Sequence, residues 1–168
     1  MKRLLSVLLI AATLLCFSGC DSGETNRTNF YYVRSEYDYG RQDGVMAPET
    51  RDTSDFTDAL EILREYLAGP QDTNLASPFP KETKITEFLF KGKTLHITLS
   101  NQIVSLPKAK QVLACTCLAR TAMELTGAEA VYFQTNSTGF SRMDPILIDK
   151  DSVLLYDDYH SVTPSERN

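Results

Sequence analysis

The sequence predicts a mixed α/β domain in the order β-α-β-β-α-β, with two helices packed on a small mixed sheet. Three observations predict it. Apolar residues recur at helical spacing between Phe56 and Leu67; two strand-like runs are joined through Lys91-Gly92-Lys93; and a second helical pattern runs from about Pro107 to a stop at Gly127.

Phe30-Tyr31-Tyr32-Val33, rich in aromatic and β-branched residues, reads as the first strand. Asp38 to Asp43, with Gly40 and Gly44, reads as loop before a short Val45-Met46 segment. Thr53-Ser54-Asp55 offers N-cap side chains for the first helix. At 100° per residue Phe56, Ala59, Leu60, Ile62, Leu63, Tyr66 and Leu67 fill one face of it, and Asp58, Glu61, Arg64 and Glu65 the other. Gly69-Pro70 ends the helix, the glycine expected in a left-handed turn and the proline forbidding continuation. Ser77-Pro78-Phe79-Pro80 is a stiff loop.

Ile85 to Phe90 and Thr94 to Leu99 form the hairpin, and in its second arm Leu95, Ile97 and Leu99 alternate with Thr94, His96 and Thr98. In the second helix Val112, Cys115, Leu118, Ala119, Ala122 and Leu125 make the core stripe, and Lys110, Arg120 and Glu124 the polar side. Leu113 and Cys117 fall on that polar side, as a scattered apolar pair or as a candidate partner surface. Glu129 to Thr135 is a strand, Asn136 to Arg142 a polar loop, and Ser152 to Tyr156 an expected edge strand.

The N-terminus has a different character. Met1-Lys2-Arg3 is basic, and Leu4 to Phe17 is an apolar run of 14 residues interrupted by Ser6 and Thr13. That is shorter than the roughly 20 residues of a membrane span and suits a secretory signal. Phe17-Ser18-Gly19-Cys20 resembles the lipobox of bacterial lipoproteins, with a large apolar residue where the pattern prefers Leu. The resemblance implies cleavage after residue 19 and a diacylglyceryl anchor on Cys20. The division is then signal 1–19, tether 20–29, folded domain 30–157 and frayed tail 158–168. Asp21 to Asn29 has the composition of a flexible linker reaching about 15–18 Å.

Of 168 residues, 42% are apolar and 23% charged, which excludes a disordered or collagenous chain. Removing residues 1–19 takes away Lys2 and Arg3 but no acid, so the net charge of −5 becomes −7. So acidic a domain is a poor partner for nucleic acid or anionic headgroups. Lipid, not a basic patch, is expected to hold it at the extracytoplasmic face of the cell membrane.

Residues that carry chemistry are few. Cys115 and Cys117 point about 160–200° apart on a helix, which argues against a mutual disulfide or a shared zinc. Cys115 reads as a small core hydrophobe. His96 lies on the wetter side of a strand and His160 in the tail, without an HExxH or GxSxG pattern beside them. Asp149-Lys150-Asp151 and Asp157-Asp158 lack calcium-loop spacing. The sequence therefore offers no catalytic, cofactor-binding or metal residues, and a non-enzymatic protein is expected.

Tyr31-Tyr32-Val33, Leu63-Arg64-Glu65-Tyr66-Leu67-Ala68-Gly69-Pro70, Leu75-Ala76-Ser77-Pro78-Phe79-Pro80 and Ile97-Thr98-Leu99-Ser100 together resemble a GerMN domain, the sporulation and spore germination module of bacterial lipoproteins. The likeness covers about Phe30 to Thr135. It implies a fold similar to ring-building motifs of secretion systems, carries no catalytic residues, and implies a scaffold or protein-interaction role in sporulation, germination or envelope assembly. Protein partners or self-association would engage a helix face, with Leu113 and Cys117 as candidates. Cell-wall contact through Tyr37, Tyr39 and Phe79 is the alternative.

Overall fold

The computed structural model describes residues 26–36, 44–137 and 142–152. Its strands are β1 (Arg27–Arg34), β2 (Met46–Asp52), β3 (Leu75–Ala76), β4 (Ile85–Lys91), β5 (Thr94–Leu99), β6 (Ala130–Thr135) and β7 (Ile146–Asp149). Helix α1 spans Ala59–Ala68 and α2 spans Lys108–Thr126. The mixed α/β class and the β-α-β-β-α-β spine stand, with β2, β3 and β7 added. The strands divide between two sheets, ordered β2-β1-β3 and β4-β5-β6-β7.

β1 begins at Arg27, inside the stretch expected to be tether, because it pairs antiparallel with a β2 that the sequence does not announce. The register runs from Arg27↔Asp52 to Val33↔Met46. Pro48 is tolerated opposite Tyr31 because the Tyr31 backbone groups point away from β2. β3 pairs with Val33 and Arg34, and among the described residues no strand lines the rest of that edge of β1. Side chains of the helices finish it. The Tyr31 N–H donates to Thr121 Oγ1 at 3.0 Å, and the Tyr66 hydroxyl donates to the Tyr31 carbonyl at 2.9 Å.

Thr53 does not cap α1. Its N–H donates to the Asn26 carbonyl at 2.7 Å, and its hydroxyl lies 2.9 Å from that of Thr28, closing the end of the β1–β2 pair. The cap is Asp58, which accepts from the Glu61 N–H at 2.9 Å, while Glu61 accepts from the Thr57 N–H at 3.0 Å. The helix therefore starts at Ala59, with Phe56 ahead of it. It ends at Gly69, whose φ of 105° and ψ of 173° lie in a region essentially restricted to glycine rather than in the left-handed helical turn expected. Gly127 does adopt that turn, with φ 71° and ψ 12°.

The β4–β5 pairing Lys91↔Thr94 leaves Gly92-Lys93 as a two-residue turn, with φ +60° at Gly92. β5 and β6 run parallel, linked through α2, and β7 returns antiparallel to β6. The edge strand is thus Ile146–Asp149. Ser152 belongs to a helical turn and residues 153–156 lie outside the described residues.

α2 is covered on both sides, by β1 and by β6 and β7. Cys115, Leu118, Ala119 and Ala122 are fully buried as the stripe predicts, with Val112 and Leu125 half-buried. On the other side Thr116, Cys117 and Thr121 are fully buried as well. The two threonines donate to the carbonyls of Val112 and Cys117, so their hydroxyls are satisfied inside the protein. A helix between two layers needs no polar face, which is why its period misleads.

Candidate interaction surface

Among the described residues, polar or exposed groups gather in the cluster around Arg51 and on the outer face of the four-stranded sheet. Arg51 lies over the Phe30 ring at 4.9 Å, pairs with Glu49 at 2.5 Å and donates to the Gly69 carbonyl at 2.7 Å. Glu49 also accepts from the Gln71 N–H at 3.0 Å. Burial alone would raise the Glu49 carboxyl, but Arg51 and the N–H groups of Asp72 and Gln71 outweigh it and hold it below its ordinary value. Beneath them Tyr32 and Tyr66 stack with centroids 4.7 Å apart, and the Tyr32 hydroxyl donates to the Tyr66 carbonyl at 2.7 Å. The groups answer one another and tie β2 to the end of α1. This is a structural lock.

The four-stranded sheet differs. Leu95, Ile97, Leu99, Val131, Phe133 and Ile148 face the helix layer and are buried. The opposite parity faces outward. Register pairs Leu89 with His96, His96 with Tyr132, and Tyr132 with Leu147, so four side chains form one continuous row across all four strands. Leu89 is 40% and Leu147 58% exposed, while His96 and Tyr132 are half-buried with rings 4.8 Å apart. At about 4.8 Å per strand the row spans about 14 Å.

Polar rows flank it. On one side Thr98 donates to Glu87 at 2.9 Å and accepts from Gln134 at 3.1 Å. On the other side the register Lys91–Thr94–Ala130–Asp149 places a cation at one sheet edge and an anion at the other. Asp149 accepts from the Ser152 N–H at 2.8 Å, which keeps its carboxyl below the ordinary range. Burial and then the nearby Lys91 lower His96, favouring the neutral ring.

The expected partner surface is corrected. Cys117 is fully buried one turn from Thr121 and faces β1, and Leu113 is half-buried, so the pair presents no joint outer surface. Arg120 and Glu124, expected at a solvated side, hold Tyr31: the guanidinium lies 4.2 Å from its ring and the carboxylate accepts its hydroxyl at 2.5 Å. Phe79 is buried edge-on to Tyr66 at 6.2 Å, a plug under α1, so it is not free to meet a wall polymer. Neither Cys115 nor Cys117 is in a disulfide, and burial pushes the Cys115 thiol up. Cys20, Tyr37, Tyr39, His160, the signal and the tail lie outside the described residues.

Among the described residues no group of three or more His, Cys, Asp or Glu side chains is placed to hold a metal, and no helix is long and apolar enough to cross a membrane. The outward row escaped sequence reading because it exists only once four strands are in register. Its local signal was apolar residues on both parities, in Phe88-Leu89-Phe90 and Ile146-Leu147-Ile148.

A family model described as Germane, sporulation and spore germination, matches residues 29–138. The chain belongs to this family. Among solved structures it is similar to the first GerMN domain of the sporulation protein GerM from Bacillus subtilis, with a TM-score of 0.51 and 13% identity over 69% of this chain and 86% of that one. The tandem GerMN domains of the same protein give a TM-score of 0.52 and 16% identity, over 77% of this chain and 47% of that one. One Germane domain here thus overlays about half of the pair. At such identity the likeness concerns fold. No curated protein sequence matches at a significant level.

Proposed function

We propose that this Germane domain is a lipid-anchored, non-enzymatic docking module of the extracytoplasmic cell envelope, acting in sporulation, germination or envelope assembly through the outer face of its four-stranded sheet. The observation that carries it is the Leu89–His96–Tyr132–Leu147 row, an apolar and aromatic band left open to solvent. Such a band is what an interface core is made of. The histidine, the residue best suited to proton transfer, lies on an open sheet between a leucine and a tyrosine. That setting favours contact over catalysis. The lipobox-like Phe17-Ser18-Gly19-Cys20 supports the anchor, and family membership supports the process.

Two measurements test this reading. Growth with labelled palmitate is expected to label the wild type and not Cys20→Ala; equal labelling overturns the anchor. Affinity capture after cross-linking is expected to lose proteins when Leu147→Glu is introduced; an unchanged set overturns the docking face.

A further inference from the structure

We infer that the outer face of the four-stranded sheet docks on the same face of a second copy of this chain, about a two-fold axis parallel to the strands and running between β5 and β6. This deepens the docking reading above and rests on it. Such an axis exchanges β4 with β7 and β5 with β6 while keeping each position along the strands. Every row then meets its own reverse.

The rows suit that operation. Leu89 meets the second copy's Leu147, and His96 its Tyr132, so aliphatic lies on aliphatic and ring on ring. In the flanking row Lys91 meets Asp149, twice. Within one copy these two charges stand about 14 Å apart, beyond pairing distance, at opposite edges of the sheet. An isologous interface needs a self-complementary patch, and a row with a cation at one end and an anion at the other is one. The neutral imidazole favoured at His96 puts no charge on the facing tyrosine. Strands stay aligned between the two sheets, the common way for sheets to stack. A two-fold along the rows instead would set His96 on His96 and leave Asp149 without a facing cation.

Two rows across four strands and a third across β4, β5 and β6 present about 350 Å² per copy, so the pair buries less than the roughly 1,000 Å² that a stable interface clears. Contact is therefore expected to be weak between free molecules and favoured between copies confined to one membrane.

The test uses full-length chains co-expressed in cells and a short bismaleimide cross-linker. One copy carries Leu89→Cys and the other Leu147→Cys; both sites are exposed, so folding is retained. Cross-linked dimer is expected from the mixture and at least tenfold less from either variant alone. Lys91→Glu in both copies is expected to cut the yield severalfold, and Asp149→Lys added to it to restore the yield. Linkage of Leu147→Cys to itself, or failure of the charge swap to restore, overturns the proposed axis. If no dimer forms while Leu147→Glu still removes captured proteins, the second copy is overturned and the docking reading survives. If Leu147→Glu changes neither, both fall.

Discussion

The two sheets of this domain spend their polar residues in opposite ways. In the three-stranded sheet nearly every distinctive group faces inward or is answered at once: Tyr32 stacks on Tyr66, Arg51 sits on Phe30 and Glu49, and Tyr31 is held by Thr121 at its backbone and Glu124 at its hydroxyl. The four-stranded sheet turns one face to the helices, burying it except at Phe90 on edge strand β4, and leaves the other as a band of leucine, histidine and tyrosine. The region richest in charge and aromatic chemistry is thus the one that holds the fold. The plainer region is the one free to meet something. Groups that already satisfy each other have little left to offer a ligand.

The sharpest way to break this contrast is Tyr66→Ala. The ring is fully buried between Tyr32, Phe30 and Phe79, and its hydroxyl completes the β1 edge. Its loss is expected to cost about 3–5 kcal/mol, read by urea unfolding. Tyr66→Phe, which keeps the stack and loses one hydrogen bond, is expected to cost about 1 kcal/mol. A milder loss in the first variant would mean that the three-stranded sheet is not where stability is concentrated.

Thr121→Val comes next. It is nearly isosteric but leaves the Tyr31 N–H, on a strand edge covered by α2, without its acceptor. A cost of about 1–3 kcal/mol is expected, and an effect near zero would show that the helix contributes shape alone there.

Acid provides a graded version of the same test. Arg51 and the N–H groups of Asp72 and Gln71 outweigh burial and hold the Glu49 carboxyl below its ordinary value, so the folded state binds that proton less readily than the unfolded chain. Its stabilisation is fully present above the unfolded value and is lost as pH falls through the folded one. Wild type is therefore expected to exceed Glu49→Gln in stability at neutral pH, with the gap closing in that acidic window. A gap independent of pH would assign the difference to packing.

What the sequence made legible is what local spacing can encode. The α1 stripe, the Gly92 turn, the Gly127 cap and the strings shared with the family all sit within a few residues of their causes. β2 was hidden because Pro48-Glu49-Thr50-Arg51-Asp52 has no apolar alternation; it is a strand because β1 pairs with it and its charges are answered by the end of α1. The buried far side of α2 was hidden for a related reason. Cys117 falls among polar residues on the helical period until a second sheet is placed over it, with Thr116 and Thr121 buried beside it. The outward row needed long-range register above all, since Leu89 and Leu147 are far apart in the chain and share a row only through His96 and Tyr132.

The smallest expected effect on stability is also the one that most sharpens the contrast. Leu147 and Ile148 are neighbours in β7, one 58% exposed on the open face and the other 3% exposed against the core. Leu147→Ser removes little buried area, so unfolding is expected to shift by no more than about 0.5 kcal/mol. Ile148→Ser, a single residue away, is expected to lose what any buried aliphatic side chain loses, because the pleat turns it to the other face. If Leu147→Ser proved as costly as Ile148→Ser, the outer face would already be covered within one copy, and the band could not be a docking surface. Little cost together with lost association places the selective value of Leu147 in contact rather than in folding.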